Sequence, residues 1–166
     1  IVKQGLENMR NTRNPGLRAL MEVCGVERQQ ISAYHIGFIL GPCMNATGRL
    51  DTAKRALELL QSREREEAVR IAAELKNLND IRKEMTVKGT EEAVAVIEKE
   101  GLRKDRVLVV YLPEVHESLA GIIAGRIREK YGKPAFVLTR GEEGVKGSGR
   151  SVESYHMYDE LTGCKE

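Results

Sequence analysis

Six consecutive residues, Lys146-Gly147-Ser148-Gly149-Arg150-Ser151, concentrate groups suited to binding phosphate. Arg150 offers a planar fork for two phosphate oxygens, and Ser148 and Ser151 add hydroxyl donors. Gly147 and Gly149 let the backbone come close to a ligand, and successive N–H groups in such a turn form an anion-binding concavity. The competing reading is a tight, solvated hairpin turn, because the spacing is not that of a Walker loop. A second segment, Gly41 to Asp51, combines a Gly-Pro helix terminator with the amide of Asn45, the hydroxyl of Thr47 and the guanidinium of Arg49. Either Arg49 meets an anion while Asn45 positions it, or both polar side chains bond local backbone and Arg49 pairs with Asp51. His116 precedes a helix and follows a strand, where open α/β sheets collect ligands. It can bind phosphate, move a proton or cap the helix.

Metal-dependent phosphoester hydrolysis needs several carboxylates, often with histidines, converging on one or two cations. The four aspartates, Asp51, Asp80, Asp105 and Asp159, are scattered, and no Asp-x-Asp, Asp-His-His or His-x-x-Glu-His cluster occurs. No catalytic residue and no metal ligand is therefore expected in this chain. Cys24, Cys43 and Cys164 are few, odd in number and widely spaced, which suits a reducing compartment and offers neither a disulfide framework nor a zinc site. Twenty-seven basic residues against 25 acidic give +2 over 166 residues, too little to argue nucleic acid or membrane by itself. No apolar run reaches the roughly 18 residues of a membrane span, and no signal-peptide core opens the chain. A cytoplasmic protein with no membrane contact is expected. With no tryptophan, five tyrosines and two phenylalanines, an aromatic platform for stacking bases is poorly supplied. The first residue is Ile1 rather than Met, and the last residues still follow a helical pattern, so the chain reads as a piece of a longer protein.

The elements that must position these groups follow from periodicity. Asn14-Pro15 is a helix start, with Leu17, Leu20, Met21 and Cys24 at helical spacing and Gly25 closing. A second helix starts at Ser32 and stops at Gly41-Pro42, and a third starts at Asp51 or Thr52. From Arg63 to about Lys88, Ala68, Ile71, Ala72, Leu75, Leu78, Ile81 and Met85 make one apolar stripe on a charged helix. The pattern continues to Glu100, either straight through Gly89 or kinked there. After Gly101 the period changes: Val107–Leu112 reads as a buried strand, 117–131 as a helix, Ala135–Thr139 as a second strand, and a third runs near Val145. Gly121 and Gly125, four apart, indicate close packing of that helix on the sheet. The expected fold is α/β: a helical segment (1–62), a long connecting helix or helices (63–100), and a small, truncated α/β domain with a partly parallel sheet (101–166).

Together these segments resemble the RecJ-type single-strand-specific DNA exonucleases of the DHH phosphoesterase superfamily. Gly37-Phe38-Ile39-Leu40-Gly41-Pro42 leading into Asn45-Ala46-Thr47-Gly48-Arg49-Leu50 is similar to that family's asparagine-alanine-x-glycine-arginine motif. His116-Glu117-Ser118-Leu119-Ala120-Gly121 through Arg126, and Lys146 to Ser151, resemble two signatures of the DHH-associated domain. The resemblance implies 5′-to-3′ degradation of single-stranded DNA with Mn²⁺ or Mg²⁺, in recombination and repair, with DNA in a cleft between two domains. It implies that Arg49, Ser148, Gly149 and Arg150 recognise the 5′-terminal phosphate or adjacent backbone, that Asn45 supports its loop, and that His116 lies near the cleft. The family's aspartate motifs and its Asp-His-His motif are missing, so the metal ligands are expected upstream of Ile1 and the chain alone is expected to be inactive. The alternatives are another DHH phosphoesterase acting on short oligonucleotides, or a non-catalytic nucleic-acid-binding module.

Overall fold

Asn14 sets the first packing contact of the helical part. Its Oδ1 accepts from the Leu17 N–H at 2.9 Å, capping α2 (Pro15–Val23), which follows α1 (Val2–Arg10). Its Nδ2 donates to the Leu60 carbonyl at 2.8 Å, and a Cβ on Gly16 would overlap the Leu59 carbonyl, so α2 lies directly on the backbone of the 54–61 helix. Gly25, at φ +68°, closes α2 in the left-handed conformation that favours glycine. The computed structural model describes residues 1–50, 53–142 and 144–164, with side chains at all of these but 47–50. It divides into two units, Ile1–Lys83 and Glu84–Glu166.

Ser32 starts α3 (Ala33–His35), its Oγ 2.8 Å from His35 Nδ1. The expected stop at Gly41-Pro42 is not a stop. The chain widens into a π turn over Ile36–Leu40 and continues as α4 (Gly41–Leu50). In the wider turn the Gly41 N–H reaches the Ile36 carbonyl, and Pro42 needs no acceptor because it has no N–H. A Cβ on Gly41 would stand 2.7 Å from that carbonyl oxygen, so the turn requires glycine here. Asn45 and Arg49 therefore lie on a helix rather than a loop. The start expected at Asp51 or Thr52 lies outside the described residues; α5 is Lys54–Gln61.

A single helix, α6 (Arg65–Glu100), spans the division between the units and runs unbroken through Gly89. Gly89 is a close-contact site rather than a break: a Cβ there would stand 2.6 Å from Ile123 Cδ1 and 3.3 Å from Val115 Cγ2. The buried line on α6 begins as expected with Ala68, Ile71, Ala72 and Leu75, then continues through Asn79, Thr86, Ala93 and Ile97. Leu78 and Met85 each precede a residue of that line by one, about 100° around the helix, and Ile81 lies farther off it. Leu78 is half-buried, and Ile81 and Met85 are exposed. In the first unit Leu20, Met21, Ile31, Leu59, Ile71 and Leu75 are fully buried together. Each contributes about 1.5–3 kcal/mol by leaving water.

In the second unit β1 (Leu108–Tyr111), α7 (Glu117–Tyr131) and β2 (Ala135–Gly141) form the expected βαβ unit, β1 and β2 being parallel. β3 (Gly144–Arg150) pairs antiparallel with β2, giving the order β1-β2-β3, and α8 (Met157–Gly163) follows. One sheet face packs Leu108, Val110 and Val137 on Ile123 and Ile127 of α7. The architecture is thus the expected mixed α/β arrangement with a partly parallel sheet. The segment 146–150, however, is not a turn. It is the edge strand, paired from Lys146↔Thr139 to Arg150↔Ala135.

Candidate nucleic-acid interface

Placing 146–150 on a strand sorts its side chains by face. Gly147 and Gly149 pair with Leu138 and Phe136 on the face away from α7. A Cβ on Gly147 would overlap Leu138 Cδ2, and one on Gly149 would stand 2.7 Å from Phe136 Cε1. Neither glycine has positive φ. Both make room for large β2 side chains, so the consecutive N–H concavity expected of a turn does not form here.

Lys146, Ser148 and Arg150 instead share the face turned to α7. They meet the helix positions Glu117, Gly121 and Gly125. Lys146 Nζ is 3.0 Å from Glu117 Oε2. A Cβ on Gly121 would stand 2.9 Å from Ser148 Oγ and 2.7 Å from Arg150 Nη2, and one on Gly125 4.0 Å from Arg150 Cγ. The two rows keep step because four residues of helix rise about 6 Å and two of strand about 6.6 Å. Gly121 is the floor on which the guanidinium and the hydroxyl lie. Arg150 Nη1 donates to Ser148 Oγ at 3.1 Å and to the Gly149 carbonyl at 2.7 Å, while the residue remains exposed. The hydrogen bond to Glu117 holds the Lys146 ammonium above the usual lysine range.

His116 caps α7: its Nδ1 accepts from the Ser118 N–H at 3.3 Å and lies 2.7 Å from Ser118 Oγ. The capping reading of this residue therefore holds. His116 also borders a recess of about 660 Å³ with Glu114, Arg140 and Lys146, where Arg140 pairs with Glu114 at 3.5 Å. Arg150 does not line this recess. The structure brings Ser148, Gly149 and Arg150 together on β3, beside the helix that His116 begins.

The first unit carries the other predicted residues. Asn45 is exposed on α4 and lines a shallow recess of about 210 Å³ with Gly37, Gly41, Pro42 and Arg82. Arg49 lies in the last turn of α4, and its side chain is outside the described residues. Sequence reasoning missed Arg82 as a site residue. Asn79, 2% exposed, accepts from Arg82 Nη2 at 2.9 Å and aims the guanidinium toward Asn45's recess. The signal was present: a polar pair three apart on a helix whose buried line it interrupts. Arg18, Arg63 and Arg65 also gather around a recess beside α2, where Arg65 pairs with Glu22 at 3.0 Å.

Among the described residues no three His, Cys, Asp or Glu side chains converge in a way that would hold a metal ion, and no helix is long and apolar enough to cross a membrane. Residues 104–163, within the second unit, match the DHHA1 domain family model. Over nearly its whole length the chain is similar to part of the RecJ exonucleases. It is 38% identical over 163 residues to the single-stranded-DNA-specific exonuclease RecJ of Salmonella typhimurium, covering 95% of this chain and 28% of that protein. A crystal structure of exonuclease RecJ bound to manganese superposes with a TM-score of 0.81 at 29% identity, covering 97% of this chain and 39% of the other. RecJ from Thermus thermophilus in complex with Mg²⁺ gives 0.79 at 29% identity, covering 97% and 24%. The chain spans between a fifth and a third of the length of the curated relatives it matches.

Proposed function

We propose that this chain is the DNA-holding part of a metal-dependent, 5′-to-3′ single-stranded-DNA exonuclease of the RecJ type, working in the cytoplasm in recombination and repair. The observation that carries the reading is the glycine-floored row Lys146–Ser148–Arg150. It presents an arginine fork, a hydroxyl and a lysine along one line from a paired strand. A phosphate at that row accepts from Arg150 and Ser148, and Lys146 adds charge beside the next phosphate. Gly149 keeps the strand close to Phe136 so that its neighbours face α7. Asn45 and Arg49 contribute backbone contacts from the first unit. His116 acts by fixing the start of α7, on whose second turn the row rests.

In this reading a bound Mn²⁺ or Mg²⁺ would supply an activated water for phosphodiester hydrolysis, and the described residues of this chain do not offer the ligand set that would hold it. The chain's own contribution is positioning: a fixed DNA end brings one scissile bond to the reacting centre. Taken alone, the chain binds without hydrolysis, and Mn²⁺-dependent release of nucleotides by the purified chain overturns that statement. The binding test is a salt-dependent titration with 5′-phosphorylated and 5′-hydroxyl single strands. Preference for the phosphorylated strand, lost in Arg150→Ala and not restored by Arg150→Lys, supports the reading. Equal affinity for both strands in the wild-type chain refutes the 5′-phosphate role.

A further inference from the structure

Two cysteines nineteen residues apart in sequence meet in the first unit. Cys24, at the C-cap of α2, places its Sγ 3.7 Å from that of Cys43 on α4, and both are free thiols. Cys43 is 2% exposed, while Cys24 is half-buried and opens onto a recess of about 150 Å³. Lys76, Asp80 and Lys83 of α6 line the same recess, giving two cations against one anion. Phe38 and Ile39 close its apolar side. Cys43 borders the same recess but is almost fully buried, so Cys24 is the more accessible of the two sulfurs.

We propose that Cys24 and Cys43 form a peroxide-reactive dithiol, with Cys24 the attacking sulfur and Cys43 the resolving one. In the first step the Cys24 thiolate attacks the terminal oxygen of a hydroperoxide. A sulfur–oxygen bond forms, the oxygen–oxygen bond breaks, and the leaving oxygen takes a proton from water and departs as an alcohol, or as water from hydrogen peroxide. Cys24 becomes a sulfenic acid and the peroxide is reduced. In the second step Cys43 sulfur attacks Cys24 sulfur: the disulfide forms, the sulfur–oxygen bond breaks, and hydroxide leaves with the thiol proton as water. The sulfurs must close from 3.7 Å to about 2.05 Å. Cys24 can make that movement, since it is the C-cap just beyond the last residue of α2 and Gly25 follows at φ +68°.

The ionisation fits this order of attack. The hydrogen bond from Cys43 lowers the Cys24 thiol to about 7; Lys76 and Lys83 act in the same direction, against burial and Asp80. Cys43 is pushed up by that bond and by burial, so it stays protonated while Cys24 attacks and gives that proton to the departing hydroxide in the second step. The product would tie α2 to α4, the helix that carries Asn45.

The test treats the reduced 166-residue chain with a small excess of hydrogen peroxide, then alkylates it and maps its peptides. The expected result is a monomer lighter by about 2 Da before alkylation and one carrying a single label after it, with a Cys24–Cys43 cross-link reversible by dithiothreitol. Cys24 should be consumed at least ~10-fold faster than exposed, solitary Cys164. Cys43→Ala should leave a Cys24 sulfenic acid that a 1,3-diketone traps, and Cys24→Ser should leave Cys43 inert. The proposal is overturned if both cysteines stay alkylatable in the wild-type chain, or if the only disulfide formed is intermolecular through Cys164.

Discussion

A single methyl group separates the proposed binding role of the β3 row from its role in folding. In Gly121→Ala the new Cβ stands 2.7 Å from Arg150 Nη2 and 2.9 Å from Ser148 Oγ. Both contacts are far ends of side chains, so they move and the backbone does not. In Gly125→Ala the nearest atom is Arg150 Cγ at 4.0 Å, an ordinary contact. Both substitutions replace glycine inside a 15-residue helix and gain up to ~1 kcal/mol of helix propensity. Displacing the Arg150 fork removes a charge-assisted phosphate contact of about 1.5–3 kcal/mol, a roughly 10- to 100-fold loss of affinity. Thermal melting and titration with a 5′-phosphorylated single strand at low, fixed salt read the two effects separately. Gly125→Ala should melt about 2–4 °C higher with unchanged affinity. Gly121→Ala should lose affinity without losing its fold, part of its helix gain offset by the displaced Arg150 and Ser148. If Gly121→Ala binds like the wild-type chain while its melt shows a folded protein, the row does not hold DNA and the reasoning fails.

Other expectations concern the frame around the site. Asn14→Ala removes both the α2 cap and the bond to the Leu60 carbonyl, and should cost about 1–2 kcal/mol in urea unfolding. Gly89→Ala forces a methyl against Ile123 and Val115 and should cost about 1–3 kcal/mol by overpacking, whereas a kinked, solvent-facing Gly89 would be stabilised by alanine. The Asp80 carboxyl is held below the usual carboxylate range by its hydrogen bond to Lys76 at 2.6 Å, with help from Lys83. Its folded pKa is depressed, so its contribution is complete above the ordinary value of about 3.9 and is lost as pH falls through the lower folded value. Acid unfolding of Asp80→Asn should therefore lack that part of the slope, and an acid limb identical to wild type removes the pair from the account.

What was legible in the sequence was legible locally. Asn14-Pro15 names its own helix start, and the apolar run from Val107 reads as a strand without a partner, although only Leu108 and Val110 of β1 are buried while Val109 and Tyr111 are exposed. The π turn was not legible, because Gly41-Pro42 terminates an ordinary helix and only the Ile36 carbonyl, five residues back, shows how it is accommodated. The same limit hid the extent of β3, of which only the part near Val145 was expected. Glycine disfavours strands, and what makes 146–150 a strand is the bulk of Phe136 and Leu138 across the ladder. Cys24 and Cys43 read as unrelated for the same reason: their meeting depends on how α2 and α4 pack. Leu78, Ile81 and Met85 fit an apolar stripe by spacing alone, yet the line that packs passes through Asn79 and Thr86.

The candidate site itself was half visible, and the missing half is a matter of register. Read as a turn, Lys146 to Arg150 scatters its polar groups around a bend. Read as a strand, the period of two puts Lys146, Ser148 and Arg150 on one face and both glycines on the other. The deciding clue lay some thirty residues away, in Glu117, Gly121 and Gly125 at the matching helical interval. A one-residue slip of β3 would turn the glycines to α7 and drive Ser148 and Arg150 against Phe136 and Leu138, so the bulk on β2 fixes which face carries the charge. The arginine fork therefore rests on a paired strand and a glycine floor before any ligand arrives. Little order remains to be imposed when a phosphate binds, and that economy separates a built anion site from an arginine on a mobile loop.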